Sequence, residues 1–101
     1  MVQGELVETL VRAAGDLGLP VDTSAAELLR ARVDELSTGA DGAAPSAERT
    51  TRRARRIVMQ AMVNARVARA TSITAGIMRL AVAEEGAQHA LTESLQAGPT
   101  V

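Results

Sequence analysis

The chain has 101 residues, a length typical of one small domain, and 47% of them are hydrophobic although none is aromatic. It contains no cysteine, which excludes disulfides, thiolate metal sites and a cysteine nucleophile, and without Phe, Tyr or Trp it lacks the base stacking used to bind single strands. The formal net charge of −1 conceals nine acids against three arginines in residues 1–48, and eight arginines against three acids in residues 49–101. We favour an acidic half that packs beside a basic half over a basic segment that meets an anionic partner.

No stretch of the sequence predicts membrane insertion or export. Arg66, Arg69 and Arg79 interrupt the longest apolar stretch, so no run of apolar residues is long enough to span a bilayer. The first ten residues, MVQGELVETL, lack the basic and apolar regions of a signal peptide. We therefore expect a cytoplasmic protein.

The N-terminal half predicts an antiparallel helical hairpin. Apolar residues at helical spacing mark a first helix over residues 4–17, which Gly18 would end. Ser24 and Glu27 have the spacing of a capping box and predict a second helix over residues 25–37. The positions expected to face the core are Leu6, Leu10, Ala14 and Leu17 in the first helix and Ala25, Leu29, Val33 and Leu36 in the second. The short link between the two helices favours an antiparallel pair.

A linker with two glycines and a proline separates this hairpin from the C-terminal half. Residues 38–45 show no periodic pattern, and Ser46 is placed to cap the helix that follows. We expect that helix to run without a break over residues 46–85 and to end at Gly86. The linker therefore leads into the longest predicted element of the chain.

Beyond this element the sequence predicts a short last helix and a tail. Residues 87–96 keep a helical pattern in which Leu91 and Leu95 face inward. The Gly-Pro pair that follows cannot continue a helix, so we expect residues 97–101 to form a frayed tail.

The predicted long helix carries an apolar face that its own chain cannot cover. A helix over residues 47–96 would be about 75 Å long, whereas a compact chain of this size has a radius of gyration of about 13 Å. We therefore expect one face to associate with a second copy, and a second face with Met78 and Val82 to receive the N-terminal hairpin. The residues predicted to mediate self-association are Met59, Val63, Arg66, Ala70, Ile73, Ile77, Leu80 and Glu84.

Two charges interrupt the face predicted for self-association. Antiparallel helices pair residues whose numbers have a constant sum, and a sum of 150 matches Arg66 with Glu84. Two chains that cross near Ala75, or one hairpin that turns at residues 74–76, would produce these pairs. We favour the continuous helix, because the apolar pattern keeps its phase across Gly76 and neither proline nor asparagine marks a turn.

The most concentrated charge in the sequence is an arginine cluster. It consists of Arg49, Arg52, Arg53, Arg55 and Arg56. Guanidinium groups match phosphate oxygens, so the cluster could contact nucleic acid or another polyanion. No helix-turn-helix, zinc finger or other recognition motif accompanies it, and we favour a solvated helix start that faces the acidic half.

The single histidine lies between two glutamates. Glu85, His89 and Glu93 follow one another at intervals of four and could hold a cation on one helix face. We favour an ordinary solvated face and predict no metal or cofactor, because such a site normally needs a second histidine or a cysteine. The sequence also places no nucleophile for which His89 would act as general base.

Residues 63–80, VNARVARATSITAGIMRL, resemble the alanine-rich "killing trait" proteins that polymerise into bacterial R-bodies. Those proteins also carry an Asn-Ala pair and a later Gly-Ile or Gly-Val pair, at a different spacing and after an N-terminal part that this sequence lacks. The resemblance implies a polymerising protein and assigns no role to any residue.

These patterns predict a small all-α protein. An N-terminal antiparallel helical hairpin would pack on a long C-terminal helix, and self-association would complete a helical bundle. We expect a non-catalytic interaction or assembly protein that forms a dimer or a larger homo-oligomer or binds another protein. The alternative is a small nucleic-acid-associated or regulatory protein that uses the cluster from Arg49 to Arg56.

Overall fold

A computed structural model describes residues 2–39 and 46–97, which form four α-helices. The helices are α1 (Val2–Asp16), α2 (Thr23–Thr38), α3 (Ala47–Val67) and α4 (Ala75–Ala97). The prediction of an all-α fold is therefore confirmed, and none of these helices is long and apolar enough to cross a membrane within the described ranges. Residues 40–45 of the predicted linker and residues 98–101 of the predicted tail lie outside the described residues.

The N-terminal hairpin consists of the two predicted helices, with differences at their ends. α2 begins at Thr23, and its N-cap is Asp22 in an extended conformation. The amide of Ala26 donates to the carbonyl oxygen of Asp22 at 2.9 Å, so Ser24 already lies within the first turn. The predicted capping box of Ser24 and Glu27 is therefore wrong.

α2 provides the centre of the core. The four residues predicted to face inward from it are all fully buried: Ala25, Leu29, Val33 and Leu36. In α1 the buried face differs from the predicted one. Val7 and Ala14 are buried, whereas Leu6 and Leu10 are only partly covered. Leu17 is exposed, contrary to the prediction, because α1 has already ended and this residue belongs to the turn.

The prediction of one continuous helix over residues 46–85 is wrong. The chain turns back over residues 68–74, and α3 and α4 pack against each other as an antiparallel hairpin. The turn is centred near residue 71, before the 74–76 position of the alternative hairpin, although the two ranges share residue 74. Folding back keeps the radius of gyration at 14.0 Å, close to the value for a compact chain of this length.

Gly86 does not end a helix. α4 continues through this position to Ala97, so the separate short helix predicted over residues 87–96 is the second half of α4. A glycine in a helix interior costs only about 0.5–1 kcal/mol relative to alanine. Packing of the long α4 on α2 and α3 is enough to carry the helix across it.

A Schellman motif ends α3. The amide of Ala70 donates to the carbonyl oxygen of Ala65 at 2.8 Å, and the amide of Arg69 donates to the carbonyl oxygen of Arg66 at 3.1 Å. This geometry requires a left-handed residue at Arg69, whose φ is 56°. Glycine usually occupies that position because it has no Cβ to clash with the following carbonyl. The sequence therefore lacks the usual signal for the turn.

A Schellman motif also ends α1, and there a glycine occupies the left-handed position. The amide of Leu19 donates to the carbonyl oxygen of Ala14 at 2.9 Å, and the amide of Gly18 donates to the carbonyl oxygen of Gly15 at 3.0 Å. Gly18 has a φ of 91°, which confirms its predicted role as the stop of the first helix.

Backbone hydrogen bonds join the two turns at one end of the molecule. The amide of Ile73 donates to the carbonyl oxygen of Pro20 at 2.8 Å, and the amide of Asp22 donates back to the carbonyl oxygen of Ile73 at 3.0 Å. These bonds form a parallel bridge between Val21 and Ile73. Because both turns lie at this end, α1 and α3 run in one direction and α2 and α4 run in the other.

Replacing Arg69 with glycine should stabilise the protein. The substitution removes the steric cost of a left-handed arginine, about 1–2 kcal/mol, and part of this gain is offset by the greater entropy of glycine in the unfolded chain. We expect a net increase of about 0.5–1 kcal/mol in the free energy of unfolding, measured by urea denaturation. The matched change Gly18→Ala should lower the free energy of unfolding, because alanine is strained in the left-handed conformation. A loss of stability in the Arg69 variant would show that the arginine side chain contributes more than its backbone costs.

Candidate functional site

The arginine cluster is divided between two faces of α3. Arg53 lies on the buried face with Ile57, whereas Arg52, Arg55 and Arg56 are exposed. This division follows from the helical period, because residues 53 and 57 are one turn apart and the other three positions point away from them. The cluster is therefore not one continuous basic surface.

Arg53 forms a buried ion pair with Glu85 of α4. Its Nε donates to Oε2 of the glutamate at 2.8 Å, and its Nη2 donates to Oε1 at 2.9 Å. Both side chains are only 3% exposed. Two parallel charge-assisted hydrogen bonds fix the relative position of the helices in a way that apolar contacts do not. The sequence offered both residues, but only the turn at residues 68–74 brings them together.

A second polar contact lies one turn further along the same interface. Nη2 of Arg49 lies 3.0 Å from Nε2 of His89, and Oε1 of Glu93 lies 3.2 Å from the same nitrogen. A neutral imidazole can accept at Nε2 from the guanidinium, whereas a protonated one donates from it to the carboxylate. The histidine is thus engaged by a charged group on each side.

The three residues of the predicted cation pattern are separated by these contacts. The carboxylate of Glu85 is held by Arg53, while His89 and Glu93 contact each other. Within the described residues, no group of three or more His, Asp or Glu side chains is placed to hold a metal ion.

Arg66 and Glu84 do not meet within the chain. Nη2 of Arg66 donates to the carbonyl oxygen of Leu17 at 3.1 Å, whereas Glu84 accepts from Nδ2 of Asn64 at 2.7 Å. The observed polar pairs between α3 and α4 do not follow a sum of 150: the numbers of Arg53 and Glu85 and of Arg49 and His89 add up to 138, and those of Asn64 and Glu84 add up to 148. The intrachain pairing rule is therefore wrong, because the turn comes earlier than residues 74–76. A contact between two chains stays a prediction.

The residues predicted for self-association are divided by the hairpin. Ile73 is buried in the core of its own chain, and Ala70, Ile77 and Glu84 are partly covered. The other four, Met59, Val63, Arg66 and Leu80, are exposed. Half of the predicted set thus remains available to a partner.

α4 has a second exposed surface that the sequence reasoning assigned to the interior. Leu91 and Leu95 were expected to face inward but are 61% and 69% exposed, because the core of this helix is formed by Met78, Ala81 and Glu85 on the opposite side. Gly76, Leu80, Ala83, Ala87, Ala90, Leu91 and Ser94 are exposed on this side of α4, and the five that are here called the outer stripe of α4 are Leu80, Ala83, Ala87, Leu91 and Ser94. Successive members are three, four, four and three residues apart. This spacing is typical of one helix face and could have identified the stripe from the sequence.

Comparison with known proteins gives no relative from which a function could be transferred. No protein family, curated protein or solved structure matches the chain significantly. The resemblance of residues 63–80 to the killing-trait proteins therefore receives no support. The site must be interpreted from its own residues.

The buried ion pair should dominate the stability of the α3–α4 hairpin. Glu85→Gln keeps the shape of the side chain but removes the buried carboxylate charge that accepts two hydrogen bonds from Arg53, so we expect a loss of about 3–5 kcal/mol in the free energy of unfolding. Glu48→Gln is the matched control, because its pair with Arg52 is exposed and 4.0 Å long and should be worth about 0–1 kcal/mol. Urea denaturation measures both. Equal losses would contradict a structural role for the buried pair.

Proposed function

We propose that the protein is a small non-catalytic interaction protein that self-associates through an apolar face of the α3–α4 hairpin. The large apolar side chains that this hairpin exposes, together called its apolar face, are Met59, Val63 and Val67 of α3 and Leu80, Leu91 and Leu95 of α4. All six side chains are more than half exposed, and they lie on two neighbouring helices of one hairpin. This accumulation of large exposed apolar side chains is the observation that carries the proposal.

The distribution of apolar residues distinguishes this hairpin from the other one. In α2 the residues Leu29, Val33 and Leu36 are all fully buried, and its exposed positions are mostly polar or charged. α4 instead has apolar residues on both its buried and its exposed sides. A helix that is apolar on opposite sides normally packs against something on each side. One side of α4 is covered by its own chain, and the other is open to a partner.

A binding role also agrees with how the ionisable groups of this hairpin are used. Arg53 and Glu85 satisfy each other in the core, and His89 lies between Arg49 and Glu93. These contacts link α3 to α4 and stabilise the hairpin that presents the apolar face. We therefore assign them a structural role and assign no residue to catalysis.

Replacing Leu91 with glutamine should weaken self-association without unfolding the protein. The side chain is exposed in the single chain, so its loss removes little from the core, whereas each buried leucine contributes about 1.5–3 kcal/mol to an interface. A dimer loses two of them, and we expect the dissociation constant to rise about 100-fold or more. The mass in solution, measured by light scattering over a range of concentrations, reports this change.

Leu17→Gln is the matched control for that substitution. Leu17 is also 61% exposed, but it lies in the turn after α1 and not on the apolar face. Its replacement should leave the mass in solution unchanged. If the wild type has the mass of a single chain at all concentrations, or if both variants behave alike, the proposal is wrong.

A second candidate function is the binding of a phosphate-rich polyanion. It is favoured by the exposure of Arg52, Arg55 and Arg56 on neighbouring turns of α3. Arg56 also lines a shallow groove between α3 and α4 together with His89 and Thr92, which offers further hydrogen-bonding groups. Three guanidinium groups at this spacing could follow a phosphate backbone but could not read a base sequence.

The test of this alternative replaces Arg52, Arg55 and Arg56 with glutamine and leaves Arg49 and Arg53 in place, since those two contact α4. Glutamine is a similar helix former, so the fold should persist. If the alternative is correct, binding to duplex DNA should fall sharply, and the dependence of log K on log salt should flatten by up to about three phosphate contacts. Equal DNA binding by wild type and variant, or none by either, would exclude it.

A further inference from the structure

The outer stripe of α4 is an uncharged surface on a helix whose other side is already packed. Its five residues, Leu80, Ala83, Ala87, Leu91 and Ser94, are all exposed and none carries a charge. At 100° per residue they lie within about 80° of one another and opposite the buried Met78 and Glu85. Neither α2 nor α3 covers this side, so a second helix can approach it directly.

The stripe is arranged symmetrically about its middle residue. Ala87 is equally distant in sequence from Leu80 and Ser94, and equally distant from Ala83 and Leu91. In each of these two pairs, a leucine corresponds to a small residue. Such a pattern is complementary to a copy of itself that runs in the opposite direction.

We propose that the partner of this surface is the same stripe of a second copy, packed antiparallel about a twofold axis that passes through Ala87. This inference rests on the self-association proposed above and narrows its surface to one side of α4, which includes Leu80 and Leu91 of the apolar face. Leu91 of one copy then lies against Ala83 of the other, and Leu80 lies against Ser94. The two alanines at the axis allow the helices to approach to about 9–10 Å. A twofold contact of this kind is closed, so it produces a dimer and not a fibre.

A parallel pair would pack less well. It would place Leu80 and Leu91 against their own copies, and these leucines would hold the helices apart at the layers of Ala83 and Ala87. Voids between the alanines would forfeit dispersion contacts. The antiparallel pair instead places a large side chain against a small one at every layer except the axis.

Charge does not oppose the pairing of two copies. The outer stripe buries no ion when it pairs with itself, and the nearest carboxylate, that of Glu84, already accepts from Asn64 at 2.7 Å. The exposed charged residues that flank the stripe on α4 are one of each sign, Arg79 and Glu93. Self-pairing therefore requires no desolvation of an unpaired charge, which would be costly.

Cysteine cross-linking tests this geometry directly, because the chain has no cysteine of its own. Ala87→Cys places one thiol on each side of the axis, within the 4.4–6.8 Å between Cα atoms that a disulfide requires. Mild oxidation should convert most of this variant into a covalent dimer on a non-reducing gel. Ala83→Cys should not cross-link, because two residues 83 would be separated along the helices by about eight residues, or about 12 Å. Ala31→Cys, at an exposed position of α2, measures random collision.

The outcomes separate this inference from the proposed function. Cross-linking at Ala87 well above the Ala31 background, without cross-linking at Ala83, supports the antiparallel pair. Equal cross-linking at Ala83 and Ala87 indicates a parallel pair and overturns it. A dimeric mass without cross-linking at Ala87 overturns the geometry and leaves self-association intact. A single-chain mass at all concentrations overturns both.

A second variant keeps the inference testable without oxidation. Ala87→Glu places two carboxylates against each other at the axis, so the dimer should dissociate into single chains by light scattering. Ala31→Glu should leave the mass unchanged, because it introduces the same charge on α2. A dimer that persists in the Ala87 variant would show that this residue does not lie at the contact.

Discussion

The buried pair of Arg53 and Glu85 constrains the whole C-terminal half. Each charge costs several kcal/mol to remove from water, so burial is tolerated only where the other charge is in place with good hydrogen-bond geometry. In a continuous helix the two residues would be about 48 Å apart, since 32 residues separate them. Within one chain, a hairpin that turns between the two residues brings both groups together. The pair therefore fixes the register of α3 against α4 more strictly than their alanine-rich contacts could.

This register determines which residues the hairpin buries and which it leaves exposed. With Arg53 and Ile57 turned inward, the remaining exposed arginines and the apolar residues Met59 and Val63 share the opposite side of α3. With Glu85 and Met78 turned inward, the outer stripe of α4 must face outward. The exposure of the residues proposed for self-association thus follows from the same register that the ion pair helps to fix.

Two turns at one end of the molecule hold the two hairpins together. The backbone bonds of Ile73 with Pro20 and Asp22 join the turn after α1 directly to the turn after α3. Leu17 contributes its carbonyl oxygen to Arg66 in the same region. The acidic and basic halves therefore meet here through backbone groups as well as through the apolar core around α2, and not simply through opposite charges on their surfaces.

The sequence by itself determined the helical class, the N-terminal hairpin and the inward face of α2, because these depend on local periodicity and on a glycine stop at Gly18. It also determined that Ser46 caps α3. The hydroxyl oxygen of Ser46 accepts from the amide of Arg49 at 3.2 Å. Only the tertiary structure decided where the C-terminal half turns, because Arg69 occupies a left-handed position that local propensity assigns to glycine. The position of this turn then decides that Arg53 pairs with Glu85 in the core, that Ile73 is buried and that Leu91 is exposed. These assignments depend on pairing between residues distant in the chain, which no local pattern encodes.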